Sequence, residues 1–409
     1  MNRFLRPLPV LVTALVVHTA LSSAAQVASD SVALVGGRLY ASPGVAPLDD
    51  ATIVVRNGTI TDVGPRRSIT VPSGIRTLDC TGKVITAGFQ NSHVHFTEDK
   101  WYDAGTQSAS TLNAQLTDML LRYGFTTVVD TGSLLSNTVA LRRRIGSREV
   151  VGPRIVTAGL PLYPPNGIPY YLKDLPPDLL KLLPQPATPT DAANAARQGL
   201  DGGADIIKLF TGSWASRQSV LTMSEDIAAA AVTEAHRRGK LVFTHPSNVA
   251  GLEVALRARV DVLAHAVENT LGFTDDHLRR MLAQKMALIP TLHLLTGASN
   301  IEAIRKEVRD FRRGGGQVLF GTDVGYLPDY DPADEYVALN RAGLPWQDIL
   351  ASLTINPADR FGEASRRGRV EKGMDGDLVV IATDPATDAR AFSNVVDVVR
   401  AGRVVFQRP

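Results

Sequence analysis

The sequence predicts an α/β protein: a (β/α)8 TIM-like barrel that carries a small β-sandwich built from both chain termini. Three observations predict it. Short β-branched runs alternate with amphipathic stretches through the middle of the chain, which favours a parallel sheet with helices outside it. Both ends are instead strand-rich, with close turn signals and no helical period. The length of 409 residues suits one barrel of roughly 250 residues plus a smaller domain.

The first element is a leader. Arg3 and Arg6 precede an apolar stretch from Leu8 to Leu21, and small residues follow up to Ala25, the order of a secretory signal peptide over residues 1–25. The expected product starts at Gln26 and is exported, to the periplasm in a Gram-negative source. The apolar stretch is too short to span a bilayer, and no later one reaches about 18 residues. No cysteine follows the cleavage point to take a lipid, and Cys80 alone permits no internal disulfide. Cleavage removes two arginines and no acids, so 43 basic residues become 41 against 41 acidic ones. That balance gives no nucleic-acid footprint.

Residues 26–82 and 356–409 are expected to pair into the sandwich. Thr52-Ile53-Val54-Val55 and Thr59-Ile60-Thr61-Asp62-Val63 flank Asn57-Gly58, and Leu378-Val379-Val380-Ile381 answers them from the far end. Residues 83–355 are expected to hold eight βα units, with strands ending near Phe89, Val129, Ala158, Phe210, Phe243, Leu263, Leu292 and Thr322. Helices are predicted from Asn113 to Tyr123, Asp226 to Arg238 and Glu302 to Arg313. Thr222 and Glu225 have capping-box spacing, and Gly239 marks a stop. The proline-rich stretch Leu160 to Pro189, with Tyr163, Tyr170 and Tyr171, is too long for an ordinary βα connection and reads as a substrate-facing loop.

Chemistry gathers where the strands stop. His93-Val94-His95, His245, His265 and Asp323 each end an apolar run, and alternate residues of a strand point the same way, so His93 and His95 can face one ion. Lys208 lies inside Ile206-Ile207-Lys208-Leu209-Phe210, where an unpaired ammonium is costly. Of the eight histidines, His236 and His277 fall in helical patterns and read as surface residues.

Six segments together resemble the amidohydrolase superfamily, closest to its imidazolonepropionase-like and Xaa-Pro dipeptidase-like branch. They are Ala87-Gly88-Phe89-Gln90-Asn91-Ser92-His93-Val94-His95, Ile206-Ile207-Lys208, Thr244-His245, Ala264-His265-Ala266, Gly321-Thr322-Asp323 and Lys372 to Val379. The resemblance implies two divalent metal ions, zinc by expectation. His93 and His95 would hold one and His245 and His265 the other, with Asp323 on the first and a CO2-derived carbamate on Lys208 bridging both. It also implies attack by a metal-bridging hydroxide, with Asp323 as general base and then general acid. His293, ending Leu288-Ile289-Pro290-Thr291-Leu292, is the expected oxyanion donor. Asn91 departs from the family pattern, which often has Asp two residues before the first histidine. Trp101, Trp214, Tyr326 and Tyr330 join the loop tyrosines as an expected rim, and Arg217 or Lys100 as carboxylate receivers.

The function so implied is hydrolysis of an amide or peptide bond in N-acyl amino acids or dipeptides. Two alternatives stand beside it: a lactonase or phosphotriesterase on the same metal pair, and a metal-free binding protein on a decayed scaffold. The expected partners are a small amide or peptide substrate and further copies of this chain in a homo-oligomer, with no nucleic acid and no membrane span.

Overall fold

A computed structural model describes residues 30–409, and the expected leader lies outside the described residues. The two ends of that span build one eight-stranded sheet. Its order is Arg403–Gln407, Val395–Arg400, Leu378–Ile381, Val84–Ala87, Val32–Leu39, Leu48–Arg56 and Thr59–Pro65, with Arg76–Asp79 alongside Val32–Leu39. Asn57 and Gly58 both take positive φ, 49° and 77°, as a tight hairpin turn between right-twisted strands requires. Leu378–Ile381 is apolar throughout because both its faces are covered. Leu378 and Val380 join Leu34, Ile53 and Val55 in the core of this sheet, while Val379 and Ile381 pack into the larger core between strands and helices.

The middle of the chain supplies parallel strands, numbered here β1 (Phe89–Val94), β2 (Phe125–Asp130), β3 (Arg154–Thr157), β4 (Ile207–Phe210), β5 (Val242–His245), β6 (Val262–Ala264), β7 (Ala287–Ile289) and β8 (Gln317–Val318). They form two arcs, β1 to β3 and β4 to β8, each in sequence order. Hydrogen bonds meet at both seams. Leu162, beyond β3, donates to Lys208 O and accepts from Phe210 N, each at 2.9 Å, and beyond β8 Phe320 O accepts from Ser92 N at 2.7 Å. Side chains from β2 and β5 to β7, with Ala158, Ile206 and Leu319 beside β3, β4 and β8, meet in one buried cluster. The arcs therefore enclose a shared, barrel-like interior.

Helices cover the outside. Ile301–Arg313 buries Ile304, Glu307, Val308 and Phe311, the i, i+3, i+4, i+7 stripe that packs against strands. Among the described residues no helix is long and apolar enough to cross a membrane.

Several expected boundaries move. The apolar run before the histidine pair is split: Val84–Ala87 belongs to the terminal sheet, and the first parallel strand starts at Phe89. Gly88 makes the break, since a Cβ there would collide with the Thr126 side chain. The strand before Asp323 is only Gln317–Val318, and the helix expected from Asn113 spans Ala109–Met119. Thr222 caps nothing, because it pairs with Gly212 in the hairpin Gly212–Ser216/Ser219–Thr222, which the sequence pattern did not reveal. The following helix starts after Ser224 instead, and Gly239, at φ 65°, ends it as expected.

Candidate metal centre

β1 carries His93 near its end and His95 one residue beyond, with buried Val94 turned to the opposite side between them. The chain after β8 folds back onto this strand end. His93 O accepts from Asp323 N at 2.9 Å, and His95 N donates to Val324 O at 2.8 Å. Asp323 holds φ at 61°, a conformation that non-glycine residues adopt only when surroundings impose it. Gly325, at φ 96°, is required here, because a Cβ would run into the His95 carbonyl. Asp323 Oδ1 consequently lies 3.1 Å from His93 Nε2 and 3.0 Å from His95 Nε2.

The imidazoles are oriented from behind. His95 Nδ1 donates to Gly132 O at 2.8 Å, which leaves the Nε2 lone pair for the centre. The Thr291 hydroxyl donates to Pro290 O at 2.8 Å and accepts from His265 Nδ1 at 2.6 Å, freeing His265 Nε2 in the same way. His265 is a second strained residue, at φ 93°. His93, His265 and Asp323 bring one ligand atom each within 4.8 Å of one another. His245 reaches the group from β5, its ring 4.4 Å from that of His265 and stacked on Phe210 at 4.8 Å.

Lys208 on β4 is 2 % exposed. Among the described residues it has no hydrogen-bond or ion-pair partner, and its Nζ lies 5.6 Å from the Phe210 ring centre. Burial pushes the amine down to about 7, against the opposing pull of Asp323. Burial likewise takes His93 down to about 3, despite Asp323, and holds His265 well below the usual imidazole value. Asp323 is itself buried, which alone would raise it, but His93, His95 and His265 hold it well below the usual carboxylate range. Neutral His93 and His265 beside an ionised Asp323 are in the donor states that a divalent ion needs; at His95 burial also pulls the pKa down, but its hydrogen bond to Asp323 and the attraction of that carboxylate raise it above the usual imidazole value. His93 Nδ1 and His245 Nε2 are buried without a hydrogen-bond partner. Unfilled donors, an unpaired buried amine and imposed backbone strain fit a metal-holding centre.

All the strand-end residues named from the sequence as ligands thus converge. His293 is absent from the cavity lining; its backbone N–H donates to Glu335 at 2.6 Å. Lys100 is also withdrawn, paired with Glu98 and lying over the Trp101 and Tyr330 rings. His277 is buried, not superficial: it pairs with Glu253 and caps its helix with Thr274. Asn91 donates to Thr322 Oγ1 at 2.8 Å and accepts from His93 N at 3.2 Å, so it couples β1 to the turn before Asp323.

Two acids were missed. Asp130, fully buried at the end of β2, accepts from Ser133 Oγ at 2.6 Å, Thr157 Oγ1 at 2.7 Å and Gly132 N at 3.2 Å, and so fixes the carbonyl that orients His95. Its signal was present, since it ends an apolar strand as Asp323 does. Glu268 accepts from Trp214 Nε1 at 2.5 Å. Its other oxygen lies 2.7 Å from His245 Nε2, a close approach without hydrogen-bond alignment. Nothing local announces it, because the contact depends on the missed hairpin and on the turn after β6.

These groups form the floor of a cavity of about 570 Å³, walled by Tyr163, Tyr171, Trp214, Tyr326 and leucines, with Arg217 also on its lining. That size falls within the range of sites for small organic ligands.

The amidohydrolase family pattern matches residues 84–405. A Mycobacterium tuberculosis protein of uncharacterized function is 27% identical over 255 residues, covering 57% of this chain and 64% of that protein's length. An imidazolonepropionase from Kosmotoga olearia is 32% identical over 108 residues, covering 24% of this chain and 27% of its own. The crystal structure of a prolidase candidate from Bifidobacterium longum superposes with a TM-score of 0.77 at 27% identity, covering 93% of this chain and 95% of that one.

Proposed function

Because the chain belongs to the amidohydrolase family, we propose that it is a metal-dependent hydrolase cleaving an amide or peptide C–N bond of an N-acyl amino acid or a dipeptide. The observation that carries this reading is the convergence of four imidazoles, one ionised carboxylate and an unpaired buried lysine on one cavity floor. His93, His95 and Asp323 would hold one ion and His245 and His265 a second, with Lys208, as its carbamate, between them. Imidazole and carboxylate donors suit zinc. Ions bound there supply Lewis acidity toward a carbonyl and a water of lowered pKa.

The chain's own groups do the rest. Asp323 turns Oδ1 to the two imidazoles, leaving Oδ2 to accept a proton from water and return it to the departing nitrogen. Gly132 O and Thr291 Oγ1 keep each imidazole in one tautomer, so the donor atoms are preorganised. Trp214 and the tyrosines exclude bulk water, and Arg217 at the hairpin tip is positioned to meet a carboxylate. The same reading closes the two arcs into a (β/α)8 barrel and assigns residues 1–25 to an export signal. Mass spectrometry of natively expressed, fractionated protein should then find a mature start near Gln26.

The test is metal analysis with a substrate panel. Protein reconstituted with zinc and bicarbonate is offered N-acyl amino acids, Xaa-Pro dipeptides, lactones and phosphotriesters, compared by kcat/KM. Amides should lead. A lactone or phosphotriester ahead by orders of magnitude would overturn the amide assignment, and protein that neither binds metal nor turns anything over would be a decayed scaffold.

A further inference from the structure

The long segment after β3 does not close over the site with polar groups. It presents Leu172, Leu175, Leu179 and Leu183 to the cavity, at spacings of three and four residues, while Lys173, Asp174, Asp178 and Lys181 face solvent. The four share this wall although the segment is only partly helical, over Tyr170–Leu172 and Pro177–Leu180. All four remain half-buried, and none belongs to a hydrophobic cluster of the described residues. Part of their apolar surface is therefore left facing the cavity. The wall is nonetheless fixed: Tyr163 N donates to Pro184 O at 2.9 Å, Ser213 Oγ to Gly167 O at 2.5 Å and Lys173 Nζ to Ala215 O at 2.8 Å. Leu134 and Leu294 also line the cavity. Apart from the candidate metal residues its charged lining is Arg217 and Glu268, and Glu268 is taken up by Trp214.

An apolar wall that still exposes surface to a cavity is stabilised when a ligand covers that surface, by about 25 cal/mol per Å². We propose that the substrate is an amide bearing a long or bulky apolar group, the fatty or aryl acyl chain of an N-acyl amino acid, which seats against Leu172, Leu175, Leu179 and Leu183. This rests on the amide-hydrolase reading, and the experiment separates the two. N-acetyl, N-hexanoyl and N-decanoyl derivatives of leucine and proline are compared by kcat/KM on zinc-loaded protein, and by calorimetric binding to zinc-loaded Asp323→Asn. Each methylene seated should raise kcat/KM and affinity about fourfold, roughly two hundredfold over the four methylenes from acetyl to hexanoyl. Leu179→Asn with Leu183→Asn should flatten that slope. Turnover and binding that ignore chain length overturn the apolar wall as a subsite and leave the hydrolase standing. Graded binding with no amide turned over upholds the apolar ligand and sinks the hydrolase. Neither graded binding nor turnover refutes both.

Discussion

An amine combines with CO2 only when unprotonated, and Lys208 spends much of its time in that form because burial has lowered its pKa to about 7. Metals would then trap the carbamate. We expect two divalent ions per chain after reconstitution with zinc and bicarbonate, and three extra atoms on the Lys208 nitrogen in electron density. Lys208→Ala should lose a metal and activity, with partial rescue by a short carboxylic acid able to fill the gap. Two bound metals beside an unmodified lysine in an active crystal would refute the bridge. Asp323 makes a different prediction, because its proposed work is proton transfer. Asp323→Asn should cost on the order of 10² to 10⁴ in kcat, and near-normal turnover would remove it as the base.

At the scale of elements, the site depends on loops being held against strand ends. Asp130 ties β2 to the β3 end through Thr157, and to its own turn through Ser133, whose Oγ also accepts from Phe96 N at 2.8 Å. Asp130→Ala leaves those buried donors unsatisfied, which should cost about 1–3 kcal/mol each for the groups that find no water. Because Gly132 O orients His95, metal retention against a chelator should fall together with the melting temperature. Unchanged chelator resistance in a destabilised variant would show that Asp130 supports the fold and not the centre. Gly325→Ala tests the opposite seam. A methyl there meets the His95 carbonyl, so metal retention should drop even though the substitution is small.

For the molecule as a whole, two buried carboxyls set a pH dependence. Glu307 receives Val267 N, Glu335 receives His293 N, and burial pushes both from 4.5 to about 8, against those hydrogen bonds. The folded protein therefore keeps protons that the unfolded chain has released between about pH 4.5 and 8. Their contribution to stability must fall as pH rises through that window. Lys208 acts in the other direction, since the unfolded amine holds its proton up to 10.5, but only above about pH 7. His93 and His265, which burial keeps neutral, oppose the glutamates below about pH 6.5, so the test is the comparison: Glu307→Gln with Glu335→Gln should gain melting temperature relative to the unaltered protein as pH rises from 5 to 8. A difference between the two proteins that stays constant over that range would contradict the assignment.

What the sequence determined by itself is the set of polar residues that close apolar runs. His93, His95, His245, His265 and Asp323 were legible because a polar ligand closing an apolar run is a local pattern, and Lys208 because an amine inside such a run is anomalous. Asn57-Gly58 and Gly239 were legible for the same reason, since backbone sign is a property of the residue. Tertiary structure alone decided which nitrogen of His95 and of His265 faces the centre, because that is set by Gly132 O and Thr291 Oγ1, remote in the chain from them respectively. It decided that Glu268 and Trp214 meet beside His245, that His293 stays off the cavity lining, and that the run ending at Ala87 joins a sheet completed by the far end of the chain. Local composition specifies what a residue can do. Only long-range packing specifies what it touches, because each contact is chosen by elements that the sequence keeps far apart.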